Sequence, residues 1–493
     1  MCARLFSRYA TCAGGVLRVS REEKDDEYWA EEWNRPPDAL KQGAGLLVAP
    51  FILPRIGLKA ASDRINVASI GIGIMGNGNM RRMLSNPDLQ LVAVCDVDEW
   101  RLNDARDTVE TAYAAETKRG NYKGVAATKD FREILARPDI DAVLIATGDR
   151  WHAVISTMAA KAGKDVYCEK PVSLTIHESR VMVDTFRRHN RILQGGFQQR
   201  SVDDFAAARR LIQNGRIGKL KTIYCNWYGT SQVLNLPPET PPPGLDWDMW
   251  LGPAPYHPFN SRYHPVGQRG SRTVPWDIQR DFAGGSITSN GVHHLDIAQW
   301  VMGMDDSGPV EIVPGTPERR IIDFKYANGV LVQSFQGQLN PKFQEIPAGF
   351  DPATRFQWQI LFVGDRGWIV AGREGPLKAS NPAILADVKL TPPEPLAKPD
   401  AKTGATSPQD LAEQIYRARG YAHHDNWIQS IRLRSQPVSN VEAATRSTNV
   451  GHLGNIATWT GRTQKWDPIK EEFIGDDMAN RMRQRAMRAP WTI

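Results

Sequence analysis

Three glycines, Gly71, Gly73 and Gly76, stand between a β-prone run, Arg64 to Ile70, and a helical stretch, about Asn77 to Ser85. This spacing can cradle a pyrophosphate. Gly71 permits a tight turn, Gly73 lets the backbone approach phosphate, and Gly76 lets helix and strand pack closely. Ile74 and Met75 supply first-turn N–H groups, where the helix dipole favours an anion. A second β-prone run, Leu89 to Cys95, ends at Asp96, twenty residues beyond Gly76. A carboxylate there accepts hydrogen bonds from a ribose diol and repels a 2′-phosphate, which favours NAD over NADP. The glycines alone are a weak signal. The flanking strand and helix and the distant acid make them specific.

Other chemistry-bearing residues fall at the ends of later β-prone runs: Thr147 to His152, Glu169-Lys170-Pro171, and Gly195 to Arg200. In a parallel sheet those carboxyl ends form the ligand edge. Lys170 is placed to take a hydroxyl proton, with a pKa lowered by partial burial and a cationic neighbour. Thr147, His152 and Glu169 join it in the candidate cofactor set. His293-His294 with Asp296 invites a metal reading, but adjacent histidines project differently and seldom share one ion. No metal site is expected. His423-His424 opens a helix, His424 to Leu433, and reads as capping and packing.

A proline-rich segment between Trp227 and Trp276 carries Trp247, Trp250, Tyr256 and Tyr263. So long a stretch without regular structure points to a functional loop. Its aromatic faces could stack on pyranose rings, while Arg262, Arg269, Arg272 and Arg280 could bind hydroxyls or carboxylates. The plainer reading is that the rings staple a loop that lacks a core of its own. A second loop, about Pro376 to Ser407, reads as surface decoration.

These residues need elements to position them. Runs at Asp141 to Thr147, Asp165 to Cys168 and Arg191 to Gly195 alternate with helical patterns. The helices are Lys129 to Arg137, Trp151 to Ala162 and Thr175 to His189. The alternation implies an α/β fold with a doubly wound parallel sheet. The chain has 493 residues, of which 41% are hydrophobic and 24% charged, enough for two or three domains and too apolar for global disorder. The net charge of +6 comes from 61 basic and 55 acidic residues that form no long basic run, so nucleic acid is not an expected partner. Five scattered cysteines imply no disulfide framework. Residues 1–62 read as an extension. Its apolar run, Gly43 to Leu58, is broken by Pro50 and Pro54 and is too short to span a membrane. The run is similar to a secretory signal, but Pro36-Pro37 occupies the place of a twin arginine. A cytoplasmic location is therefore slightly favoured over export.

The order of motifs resembles the Gfo/Idh/MocA family, that of glucose–fructose oxidoreductase and inositol dehydrogenase, in a branch common in glycan-degrading bacteria. Glu169-Lys170-Pro171 is the most specific mark. Gln198 to Ser201, Leu245 to Pro253, Gly291 to Asp296 and His452 to Ile456 extend the likeness to the C-terminus. The resemblance implies a Rossmann domain at 63–195 and a C-terminal α/β domain at 196–465. The second has a large open, mainly antiparallel sheet that often mediates dimers or tetramers. A tail, 466–493, follows. It implies hydride transfer between a sugar or cyclitol carbinol and NAD, with Lys170 and His293 handling the proton and Glu169 on a ribose. Gln198, Arg200, Trp247, Arg280, Asn290 and His294 are the expected substrate contacts. The family's Asp-x-Gly-x-His pattern falls on Ser289 to His293, so serine replaces the aspartate and Asn290 or Asp296 becomes the candidate orienter. That departure keeps open a glycoside hydrolase or lyase that oxidises a sugar hydroxyl transiently. It also keeps open a non-catalytic NAD- or sugar-binding protein.

Overall fold

The computed structural model describes residues 64–265, 275–356, 358–373, 377–386 and 422–493. The expected extension at 1–62, Arg269, Arg272 and most of the second loop lie outside them.

The first sheet has six parallel strands in the order β3-β2-β1-β4-β5-β6. They are β1 (Ile65–Ile70), β2 (Leu89–Cys95), β3 (Ala126–Thr128), β4 (Ala142–Ile145), β5 (Asp165–Cys168) and β6 (Leu193–Gly195). Their apolar runs are buried on both faces, as in β4 and β5, because helices cover both sides. The helix Ile176–His189 shows how local sequence sets a boundary. Thr175 and Glu178 form a capping box at its start, and Asn190 closes it at φ +49°. The sequence pattern missed the helix Glu99–Ala112 and strand β3. It also set the helix Ile74–Leu84 three residues too late.

The second sheet has nine strands in the order β13-β12-β11-β7-β10-β9-β8-β14-β15. They are β7 (Leu220–Asn226), β8 (Glu311–Val313), β9 (Ile322–Lys325), β10 (Leu331–Phe335), β11 (Gln359–Gly364), β12 (Gly367–Gly372), β13 (Lys378–Ala379), β14 (Gln464–Asp467) and β15 (Glu472–Phe473). Every pairing is antiparallel except β7 with β10. The helices Asp203–Gln213, Gly291–Met302 and Val441–Thr460 share one apolar core with this sheet.

Elements beyond residue 195 pack back on the first sheet. Trp427, Ile428 and Ile431, on the helix Ala422–Leu433, complete the core beneath β1, β2 and β4. Trp491 in the tail packs against Phe131 and Trp151 of the first half. His424 stacks on Tyr167 at 4.8 Å, and His423 Nε2 donates to the Gly195 carbonyl at 2.8 Å, so this pair packs as expected. Trp427→Ala should lower unfolding free energy by about 3–5 kcal/mol, because it empties a fully enclosed indole site. Denaturant titration of the folded variant checks this.

Candidate active site

The turn after β1 has no room for side chains. A Cβ on Gly76 would lie 1.8 Å from the Gly71 carbonyl oxygen, and Gly71 itself sits at φ +86°. The helix Ile74–Leu84 starts behind Gly73 with no side-chain cap, which leaves first-turn amides at Ile74 and Met75 to a ligand. Asp96 stands opposite. Its Oδ2 accepts from the Ile72 amide at 2.6 Å and its Oδ1 from the Asp98 amide at 2.9 Å. The carboxylate is thus fixed in place with lone pairs to spare. Thr147 lies beside the glycines, its amide 2.9 Å from where a Gly71 Cβ would be. Glycine cradle, uncapped helix and pinned acid together fit a dinucleotide.

The end of β5 supplies the second part. Glu169 is buried, and its Oε1 accepts from Asn79 and Gln198, each at 2.8 Å. Burial pushes the Glu169 carboxyl up, and Lys170 and these hydrogen bonds oppose the shift. Lys170 precedes a cis proline, and its Nζ donates to the Ser289 carbonyl at 2.6 Å. That bond links β5 to the turn that opens the helix Gly291–Met302, which carries His293. Burial, Arg373 and Lys170 hold His293 well below the usual histidine range, so the ring is neutral. Among the described residues, its Nδ1 is buried without a hydrogen-bond partner, as is the Ser289 hydroxyl.

This geometry agrees with two domain models: residues 65–197 match an oxidoreductase-family NAD-binding Rossmann fold, and residues 217–333 and 410–493 match that family's C-terminal α/β domain. The chain belongs to the Gfo/Idh/MocA family. It is 27% identical over 230 residues to a myo-inositol 2-dehydrogenase of Thermotoga maritima, covering 45% of this chain and 59% of that one. It is 28% identical over 166 residues to an inositol 2-dehydrogenase of Salmonella typhimurium, covering 33% and 46%. A glycosyl hydrolase family 109 protein of Shewanella pealeana is 30% identical over 148 residues, 30% of each chain. The chain spans about half the length of the inositol dehydrogenases it matches. Among solved structures, an aldose-aldose oxidoreductase from Caulobacter crescentus is 16% identical with a TM-score of 0.49, covering 82% of this chain and 99% of that one.

Several expected contacts of this family member turn out to be braces. His152 faces inward. Its Nδ1 lies 2.7 Å from the Pro171 carbonyl and its Nε2 3.1 Å from that of Thr147, and burial lowers its pKa to about 4. A neutral ring has one N–H, so it donates to one of these carbonyls and packs against the other, bracing the strand-end turns from within. Arg200 is enclosed in ion pairs with Asp296 and Asp305, each at 2.7 Å. It cannot serve substrate, and Asp296 is too committed to orient His293. Gln198 donates to Glu169 and to the Tyr167 hydroxyl, which fixes the carboxylate. The His294 Nδ1 accepts from the Asn226 amide at 3.1 Å, which turns the ring toward β7. Arg280 stacks over Trp459 at 3.8 Å. Trp247 stacks on Trp250 at 4.4 Å inside a local core with Phe259, so the plainer reading of the aromatic loop fits this ring. Asn290 is partly exposed beside Ser289, and its backbone amide donates to the Ser286 carbonyl at 3.0 Å.

Two groups were missed. Arg373 follows β12 and lies over Trp358 at 4.1 Å, charging the surroundings of His293. No local signal marks it, since the register of a distant strand places it. Asp149 opens the helix Asp149–Lys161, and its place between Thr147 and His152 was the available clue. Burial raises its carboxyl to about 7, against the pull of Lys170. Between about pH 4 and 7 the folded chain then keeps a proton at Asp149 that the unfolded chain has lost, so wild type loses stability as pH rises through that window. The stability of Asp149→Asn relative to wild type should climb over the same window and level off above it. Denaturant melts across pH test this.

Proposed function

We propose that this chain is an NAD-dependent oxidoreductase that moves a hydride between the nicotinamide and a hydroxyl-bearing carbon of a sugar or cyclitol. The observation that carries the reading is Lys170, whose Nζ donates to the Ser289 carbonyl in the turn that leads to His293. Bound NAD would supply the hydride acceptor. The chain's own residues would handle the proton. Lys170 is placed to take it from the substrate hydroxyl and to stabilise developing negative charge on that oxygen. Neutral His293 can accept or donate one hydrogen bond, but without a carboxylate at Nδ1 it is poorly suited to hold a full proton. The burden therefore falls on Lys170. The inositol dehydrogenases among the relatives support a polyol substrate.

Lys170→Met should cut turnover by about 10²–10⁴-fold while NAD still binds, measured as nicotinamide absorbance change and as binding by calorimetry. Retained turnover would sink the assignment. The fixed Asp96 carboxylate supports NAD over NADP. Asp96→Ser should weaken NAD and narrow its advantage over NADP by about tenfold or more in titrations of both nucleotides.

A second reading, redox-neutral cleavage of a glycoside, draws on the unpartnered His293 and on the glycosyl hydrolase relative. Heavy water separates the two. Deuterium at the carbon next to the oxidised position, without net NADH, favours cleavage.

A further inference from the structure

The segment between β7 and the helix Gly291–Met302 is anchored on both strands that flank β1. On the β2 side, Leu245 bridges Asp98, the Asp246 amide donates to Val97 at 3.0 Å, and the Glu99 amide donates to Gly244 at 3.1 Å. The His264 Nε2 lies 2.9 Å from the Asp98 carboxylate, and both side chains are buried. The Asp98 amide in turn holds Asp96. On the β4 side, Arg150 lies 3.8 Å over Trp250 and donates to the carbonyls of Trp250 and Leu251. The Trp151 indole donates to Met249 at 3.0 Å. Contact there is close enough that a Cβ on Gly252 would lie 2.2 Å from Trp151.

The glycine turn follows β1, and β1 lies between β2 and β4. A segment fastened to both neighbours therefore crosses the side of the cradle marked by Asp96, where the adenosine half of a dinucleotide belongs. Asp96 is only 7% exposed. The anchors are of the kind that lets go slowly: a buried histidine–carboxylate hydrogen bond, a buried guanidinium stacked on an indole, and backbone pairing. We infer that residues 242–265 form a fixed strap across the adenosine half of the bound dinucleotide, so that the reduced nucleotide leaves slowly, when the strap lifts. This rests on the dinucleotide-binding reading above.

The test loads the full chain with NADH and chases it with excess NAD⁺, following loss of bound-NADH fluorescence. Wild type should hold NADH through gel filtration and release it slowly in the chase. His264→Gln and Trp250→Ala should each speed release by about tenfold or more. Release that is complete within the mixing time in wild type, or unchanged release in both folded variants, would overturn the inference. If Trp250→Ala fails to fold by circular dichroism, His264→Gln decides, since it alters only the rim of the strap. Failure of NADH to bind at all would instead count against the oxidoreductase reading.

Discussion

The hydrogen bond from the Lys170 Nζ to the Ser289 carbonyl is the point at which the two halves meet. Its donor sits at the end of a parallel strand and its acceptor at the start of a helix that packs on a different sheet. Neither end can drift. His152 holds the Pro171 carbonyl behind the lysine. Arg200, between Asp296 and Asp305, locks the helix Gly291–Met302 against the chain that follows β6. Ser447 adds a further bond to Asp296 at 2.7 Å. Such enclosed charges resist screening by salt and would leave an exposed-in-oil charge if separated. Precision at Lys170 is thus inherited from residues that touch no ligand.

Much of the first half could be read from sequence because its determinants are local. The glycine spacing, Asp96, and the runs that became β1, β2, β4 and β5 depend on near neighbours. The second sheet was anticipated only as a whole. Its strands pair across long stretches of chain, as β7 does with both β10 and β11, and no local pattern encodes that register. The site residues divide the same way. His152, Gln198 and Arg200 do lie at the ligand edge of the sheet, as their positions suggested. Position does not tell whether a side chain faces the ligand or braces the turn, and in these three the partners that settle it are carbonyls, a carboxylate and two aspartates from elsewhere. Trp247 makes the same point. A ring that stacks on a sugar and a ring that fills a loop's core look identical in composition.

Serine at position 289 has a visible price. Where a carboxylate would steady His293, the structure has an unpartnered ring nitrogen, an unpartnered hydroxyl and a nearby Arg373. Neither Asn290 nor Asp296 takes over. Under the proposed function the proton chemistry rests on the Lys170 amine, with Asp149 as a buried acid near it.

The helix Ala422–Leu433 finishes the core of a sheet whose last strand ends at Gly195. During synthesis, Met80, Met83, Leu102 and Val109 can pack against the sheet face that includes Leu91, Leu144 and Tyr167, but the part that Trp427, Ile428 and Ile431 cover stays open until they emerge. Nearly half of the chain, Gly195 to Trp427, is made in that interval. Distant closure of this kind slows folding and leaves a sticky intermediate. The first half therefore completes this core only when the far end of the chain arrives.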